Sequence, residues 1–441
     1  MDIFDLLLAP LYLIIVLYLA YKYKTKHEHK DEAYRYFLPG LIAKITGAIG
    51  LGLVYFFYYG GGDTVNYFYT ACAFSNTLLN NPADFIHIYF GTPFKSEYYL
   101  FHGDYEFCYW INDPYAFFVS KLIFPIVLIG FNTYMSSAIL IASICYYSVW
   151  KMYLVFINEF PTIKKELAIS ILFIPSVVFW GSGIMKDSIT LSATCIYVFG
   201  FYWFVVKKNY KIKYALSILI SSVLLIFIKP YILFALLPGS VVWFVALKVT
   251  NIKNGFIRIM LAPTIVALGA SLTFYVMNSL GDAFGKYSID KIFETAQGAQ
   301  LDLKRAAYNG NSFDIGNYDP TLLGLLSVSH KAIFAALFRP TVLDVRNIVM
   351  FVSAIENTLM IIFCAYLLIK LRIYKFFTLI RSHPLITFSI IFSLFFAFSV
   401  GLSISNFGTL VRLKIPCIPF FVASLFMINS IMKEKEFNNT L

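Results

Sequence analysis

Long apolar runs separated by short polar gaps pattern this chain from one end to the other. Stretches such as Phe4 to Tyr21, Pro39 to Tyr58, Leu261 to Met277 and Ile348 to Ile369 are apolar nearly all round. Each has roughly the 17 to 25 residues that carry a helix across a bilayer, so each is expected to span it. The pattern predicts an all-α, polytopic transmembrane helical protein of about 11–13 membrane helices. On this reading residues 1–441 form one transmembrane domain. Two long loops lie on its outer, non-cytoplasmic face: residues 60–113, with amphipathic helices, and residues 279–345.

Composition removes the soluble alternatives. Hydrophobic residues make up 59% of the chain and charged residues 13%, with a mean hydropathy of +0.74. A water-soluble core does not absorb that much apolar surface, so the lipid bilayer is the expected surrounding. The N-terminus opens with Asp2 and Asp5 instead of a basic patch and has no small-residue cleavage site, so it is expected to be retained.

The net charge of +11 raises the question of nucleic acid, but the basic residues fall in the gaps between apolar runs, so no nucleic-acid partner is expected. Lys22 to Arg35, Lys164 and Lys165, Lys207 to Lys213, Lys253 and Arg258, Lys370 to Arg381, and Lys433 and Lys435 instead mark cytoplasmic segments. Alternating them puts the N-terminus outside and the C-terminus inside. The outer face then carries the two loops, a hinge around Gly181 to Asp187, and a turn from Ser403 to Lys414. Residues 114–131 and 134–157 both look like spans where only one crossing fits. The first of them, from Pro114 to Phe131, is therefore expected to be a re-entrant or interfacial helix that roofs a cavity.

Cys145, Cys195, Cys364 and Cys417 lie in or beside apolar runs and read as small hydrophobes. Cys72 and Cys108 share the first loop, where a disulfide or two thiols are both open. No Cys-x-x-Cys or His-x-x-x-His pattern, nucleotide-binding loop or internal repeat is present. No protein-held metal is implied, and a divalent ion as a cofactor stays open.

Candidate chemistry gathers on the outer face. Gly60-Gly61-Gly62 lets the backbone turn tightly after a span and leaves Asp63 at the membrane lip. Partial desolvation there would suit a general base, whereas a cap for the helix starting at Thr64 is the plainer role. His102, Asp104, Glu106 and Asp113 follow among Tyr98, Tyr99, Phe101, Tyr105, Phe107, Tyr109 and Trp110. Carboxylates with aromatic faces suit sugar binding, and these four are the candidate acceptor-binding residues. The rings suit a headgroup belt equally. In the hinge Pro175 to Ser188, Lys186 offers a point charge for phosphate, and Asp187 would orient it or cap the helix from Ser188. Lys229, Arg339, Arg346, Arg412 and Lys414 would complete an anion pocket if they converge. Glu356, within an apolar run, calls for a partner such as Arg346 or another helix's cation.

The order of these features resembles the GT-C glycosyltransferases, especially bacterial membrane enzymes that are mannosyltransferase-like and use polyprenyl-phosphate sugars. The resemblance rests on Asp63 after an early span, the Asp113-Pro114-Tyr115 helix ending at Gly130, and the hinge at 175–187. Arg339-Pro340 and the Gly408 to Pro416 turn complete it. Here Asp63-Thr64 stands where that family has paired Asp-Glu, and one extra span precedes the motif. The resemblance implies a GT-C-like fold in a bacterial inner membrane with its active site facing outward. It implies a polyprenyl-phosphate-linked sugar donor and a glycan, lipid or protein acceptor, with Asp63 as catalytic base. Lys186, Asp187, Arg339, Arg346, Arg412 and Lys414 are the candidate substrate- and phosphate-binding residues. A polysaccharide polymerase, a lipid-linked-oligosaccharide transporter or flippase, and a non-enzymatic assembly factor remain the competing classes. The enzyme reading expects Asp63, Lys186 and Arg412 to line one cavity.

Overall fold

A computed structural model describes residues 3–91, 99–101, 108–249, 297–298, 300–302, 312–316, 318–319, 321–345 and 348–440. The expected span Leu261 to Met277 and the candidates His102, Asp104, Glu106 and Arg346 lie outside these residues. The described residues are helical and contain no β-strand. In chain order the helices are α1 Ile3–Glu28, α2 Phe37–Leu53, α3 Asp63–Asn80, α4 Pro82–Phe90, α5 Pro114–Ile129, α6 Tyr134–Glu159, α7 Lys164–Leu172 and α8 Pro175–Trp180. They continue as α9 Lys186–Phe201, α10 Ile212–Ile228, α11 Pro230–Val249, α12 Leu322–Phe338, α13 Ile348–Ile380, α14 Pro384–Ser403, α15 Phe407–Leu413 and α16 Ile418–Thr440.

The protein is an all-α polytopic membrane protein. Among the described residues seven helices are long and apolar enough to cross a bilayer, and an eighth if the pair α15–α16, bent by 67°, is one broken span. Three shorter apolar helices, over Pro114–Ile129, Ile212–Ile228 and Leu323–Phe338, fall below that length. The last lies within the segment read from sequence as the second outer loop. It is a helix because Leu, Ala and Phe recur along it, and Thr321 caps its first turn by accepting from Gly324 N.

The chain divides into two compact units. The first comprises residues 1–152, 177–195 and 227–229. In it α3 lies against α4 and α5, with Phe74 packed on Phe117, Phe124 and Tyr89. Helix α2 approaches the hinge closely because Gly47 has no side chain: a Cβ there would stand 2.2 Å from the Val178 carbonyl oxygen. Helix α1 is a span with only 11% of its apolar window buried. Its Asp5 carboxylate is buried and accepts a hydrogen bond from Met135 N (2.8 Å) in the first turn of α6. A backbone N–H that α6 cannot satisfy internally thus meets an acid from another span.

The second unit comprises residues 153–176, 196–226 and 230–441. Helix α14 is its centre, packed on α11, α12 and α16 through Trp243, Phe388, Phe392, Phe396 and Phe420. Two charged residues answer broken helix ends here as well, one part-buried and one buried. Glu356 of α13 accepts from Ser176 N (3.0 Å) and Ser176 Oγ (2.6 Å) in the first turn of α8. Its hydrogen bonds therefore go to a helix start, and the Lys414 ammonium acts on it electrostatically as the cation of another element expected from sequence. Lys414, fully buried, donates to Leu337 O and Arg339 O (both 3.2 Å) at the end of α12, and to Asn357 Oδ1 (2.7 Å).

Three buried acceptors depend on one ammonium, so Lys414→Met should destabilise the protein by about 3 kcal/mol, each orphaned buried acceptor costing about 1–3 kcal/mol. Chemical unfolding in mixed micelles measures this. Stability equal to wild type would show that these carbonyls do not rely on Lys414.

Candidate functional site

The outer-face residues of the sequence reading separate between the units. Asp63, Asp113, Lys186 and Asp187 belong to the first; Arg339, Arg412 and Lys414 belong to the second.

In the first unit Gly60, Gly61 and Gly62 all have positive φ (68°, 137° and 123°), a path that disfavours any residue with a Cβ. The turn ends with Gly62 at the cap position of α3, and Asp63 is the first helical residue, half-exposed. The cap role, one of the two left open from sequence, would have put Asp63 one position earlier, where Gly62 stands. As first residue its negative charge still sits at the positive end of the helix. One turn on, Tyr67 shares that face. The Tyr67 ring, 1% exposed, stacks on Trp110 at 5.0 Å and 20°. Lys186 Nζ stands 5.7 Å from the Trp110 ring centroid and 3.4 Å from Asp113 Oδ2. Asp113 also caps α5 by accepting from Tyr115 N and Ala116 N (3.0 and 3.1 Å).

The hinge that presents Lys186 is held from within the same unit. Lys44, buried in α2, donates to Gly181 O, and Asp187 forms a buried ion pair with Lys229. Helix α9 begins at Lys186, so Asp187 is a first-turn residue of that helix, and its buried pairing with Lys229 is what sequence did not reveal. Lys44 was missed altogether, because one lysine in an apolar run of about 20 residues reads as an ordinary span. A cation at that depth was nonetheless the signal available.

The second-unit cations are differently placed. Arg339 pairs with Asp344 (Nη2–Oδ1 2.5 Å, Nε–Oδ2 3.3 Å) and stands over Phe313 and Phe407 at 5.5 and 5.0 Å. Burial works against ionisation of Asp344, but the Arg339 guanidinium and the Thr341 N–H and hydroxyl hold its carboxyl below the usual range. Lys414 directs its three donors to the acceptors named above, which leaves none for a phosphate. Arg412 is half-buried in the last turn of α15.

Cys72 and Cys108 are both buried thiols and are not joined by a disulfide. Burial pushes the Cys108 thiol up to about 12, which keeps it unreactive. Among the described residues no group of three or more His, Cys, Asp or Glu side chains is placed to hold a metal ion.

Asp187→Asn should cost about 3–5 kcal/mol, because it removes the carboxylate from a buried ion pair with the Lys229 ammonium. The double change Asp187→Asn with Lys229→Met should recover most of that loss in the same unfolding measurement. A single variant as stable as wild type would mean the pair does not secure the hinge. Searches among protein families, characterised proteins and solved structures find no match to this chain.

Proposed function

We propose that the protein is a membrane glycosyltransferase that moves a sugar from a polyprenyl-phosphate-linked donor to an acceptor hydroxyl at the outer face of the bilayer. The observation that carries this reading is the run of contacts Tyr67, Trp110, Lys186 and Asp113, which begins one helical turn from Asp63 in one compact unit. An acid, an aromatic platform and a cation are the three parts such a transfer needs.

Lys186 would bind the donor phosphate. Its link to Asp113 is long at 3.4 Å and partly exposed, a pair worth at most about 1 kcal/mol, so an incoming phosphate can replace the carboxylate. The Trp110 ring, backed by the buried Tyr67 ring, would carry the apolar face of the sugar. Asp63 would take the proton of the acceptor hydroxyl as that oxygen bonds to the anomeric carbon and the lipid phosphate leaves with the bonding electron pair. Since the leaving group is already an anion, no acid has to protonate it. Helix α5, capped by Asp113 and ending at Gly130, would roof the site as a re-entrant helix.

Transfer of labelled sugar from a panel of polyprenyl-phosphate donors, in vesicles with matched protein levels, tests this. Asp63→Asn should slow transfer by about 10²–10⁴-fold, the usual contribution of a general base. Lys186→Ala should raise the donor KM more than it lowers kcat. Undiminished transfer by Asp63→Asn would remove the mechanism, and a wild type that lengthens a glycan by whole repeat units would favour a polymerase.

A further inference from the structure

A second feature of the first unit lies away from Asp63. A cleft of about 990 Å³ opens beside the start of α1, lined by Phe4 and Leu8 of that helix, Phe56, Phe68 and Phe131. On α3, Phe68 and Tyr69 stand about 140° and 240° round the helix from Asp63, so the cleft is on another face from Asp63 and Tyr67. Its volume lies at the upper end of pockets that hold one small ligand, about 300–1,000 Å³.

The lining has a polar end. Asp5 supplies its charge, and Asn132 is also in the lining. The Oδ1 atom of Asn132 is buried and accepts no hydrogen bond among the described residues. A buried acceptor without a donor is costly, and it asks for a ligand that brings one. Phe131 and Asn132 reach the lining through two successive left-handed residues, φ 54° and 53°, a conformation that is an outlier for a bulky ring. On the same helix α1, Leu7, Leu11 and Ile14, close in sequence to the lining residues Phe4 and Leu8, are exposed.

We propose that this cleft holds one acyl chain of a bilayer lipid whose headgroup carries an ammonium, with Asp5 and Asn132 as the headgroup acceptors. The hydrocarbon fills the phenylalanine-lined end, the ammonium N–H groups donate to Asn132 Oδ1 and face the Asp5 carboxylate, and the phosphate stays toward water. Phosphatidylcholine, which has no N–H to donate, fits poorly.

The test uses the full-length protein in phosphatidylcholine proteoliposomes containing a trace of phosphatidylethanolamine with a diazirine on its acyl tail. After irradiation, adducts are mapped by peptide mass spectrometry. Wild type should carry adducts on the segments of Phe4 to Leu8 and Phe56 to Tyr69 at least fivefold above those around Leu359 and Ile362, which face outward on α13. Leu8→Trp, which fills the cleft, should abolish the excess while leaving the α13 adducts unchanged, an internal control for folding and insertion. Asn132→Gly removes the acceptor and relieves the positive φ, and should lower the excess at least twofold. Cleft labelling no higher than on α13, an unchanged excess in Leu8→Trp, or equal labelling by the matching phosphatidylcholine probe would each overturn the proposal.

Discussion

Every helix that starts or stops within a membrane protein leaves backbone donors or acceptors that its own ladder does not satisfy, and hydrocarbon offers nothing in exchange. The packing described above follows from how this chain meets that constraint. It sets buried and part-buried charges against helix ends. Asp5 serves the first turn of α6, Glu356 the first turn of α8, Lys44 the carbonyl just after α8, and Lys414 the last carbonyls of α12. In each case the sign matches the helix dipole, with acids at starts and lysines at ends.

That arrangement explains why an apolar chain keeps several ionisable groups in its interior. A six-residue helix such as α8 has too few internal hydrogen bonds to stand alone. Within the first unit Lys44 holds the carbonyl just after it, and the hinge that follows presents Lys186. Asp187 and Lys229 then lock the far side of that hinge. The candidate site is half-exposed, but it stands on buried supports, the order that positioned chemistry requires.

The aromatic content has two uses that sequence does not separate. Phe388, Phe392, Phe396 and Phe420 are core, stacked, tilted or edge-on to one another around α14. Tyr67 and Trp110 are also packed, yet they form a platform beneath a lysine, and Phe4, Phe68 and Phe131 face a cleft. The ring type is the same in all three. Only the neighbours decide whether a ring fills a core, carries a ligand or borders a cavity.

Sequence by itself determined the fold class, because a bilayer-length apolar run needs no tertiary information to become a span: Phe4 to Tyr21, Pro39 to Tyr58 and Ile348 to Ile369 all fall on apolar helices long enough to cross. It also located the triple-glycine turn before Asp63 and the Asp113 start of α5, since both are local backbone chemistry. Tertiary structure alone decided the partners. Asp187 meets Lys229, 42 residues away, Glu356 meets Ser176, 180 residues away, and Lys44 meets Gly181, 137 residues away. Lys414 looked like a phosphate ligand until its acceptors were seen, and α12 looked like loop until it was seen packed on α14. Span and turn are set by neighbours along the chain, whereas the role of a charge is set by whichever distant helix end it is folded against.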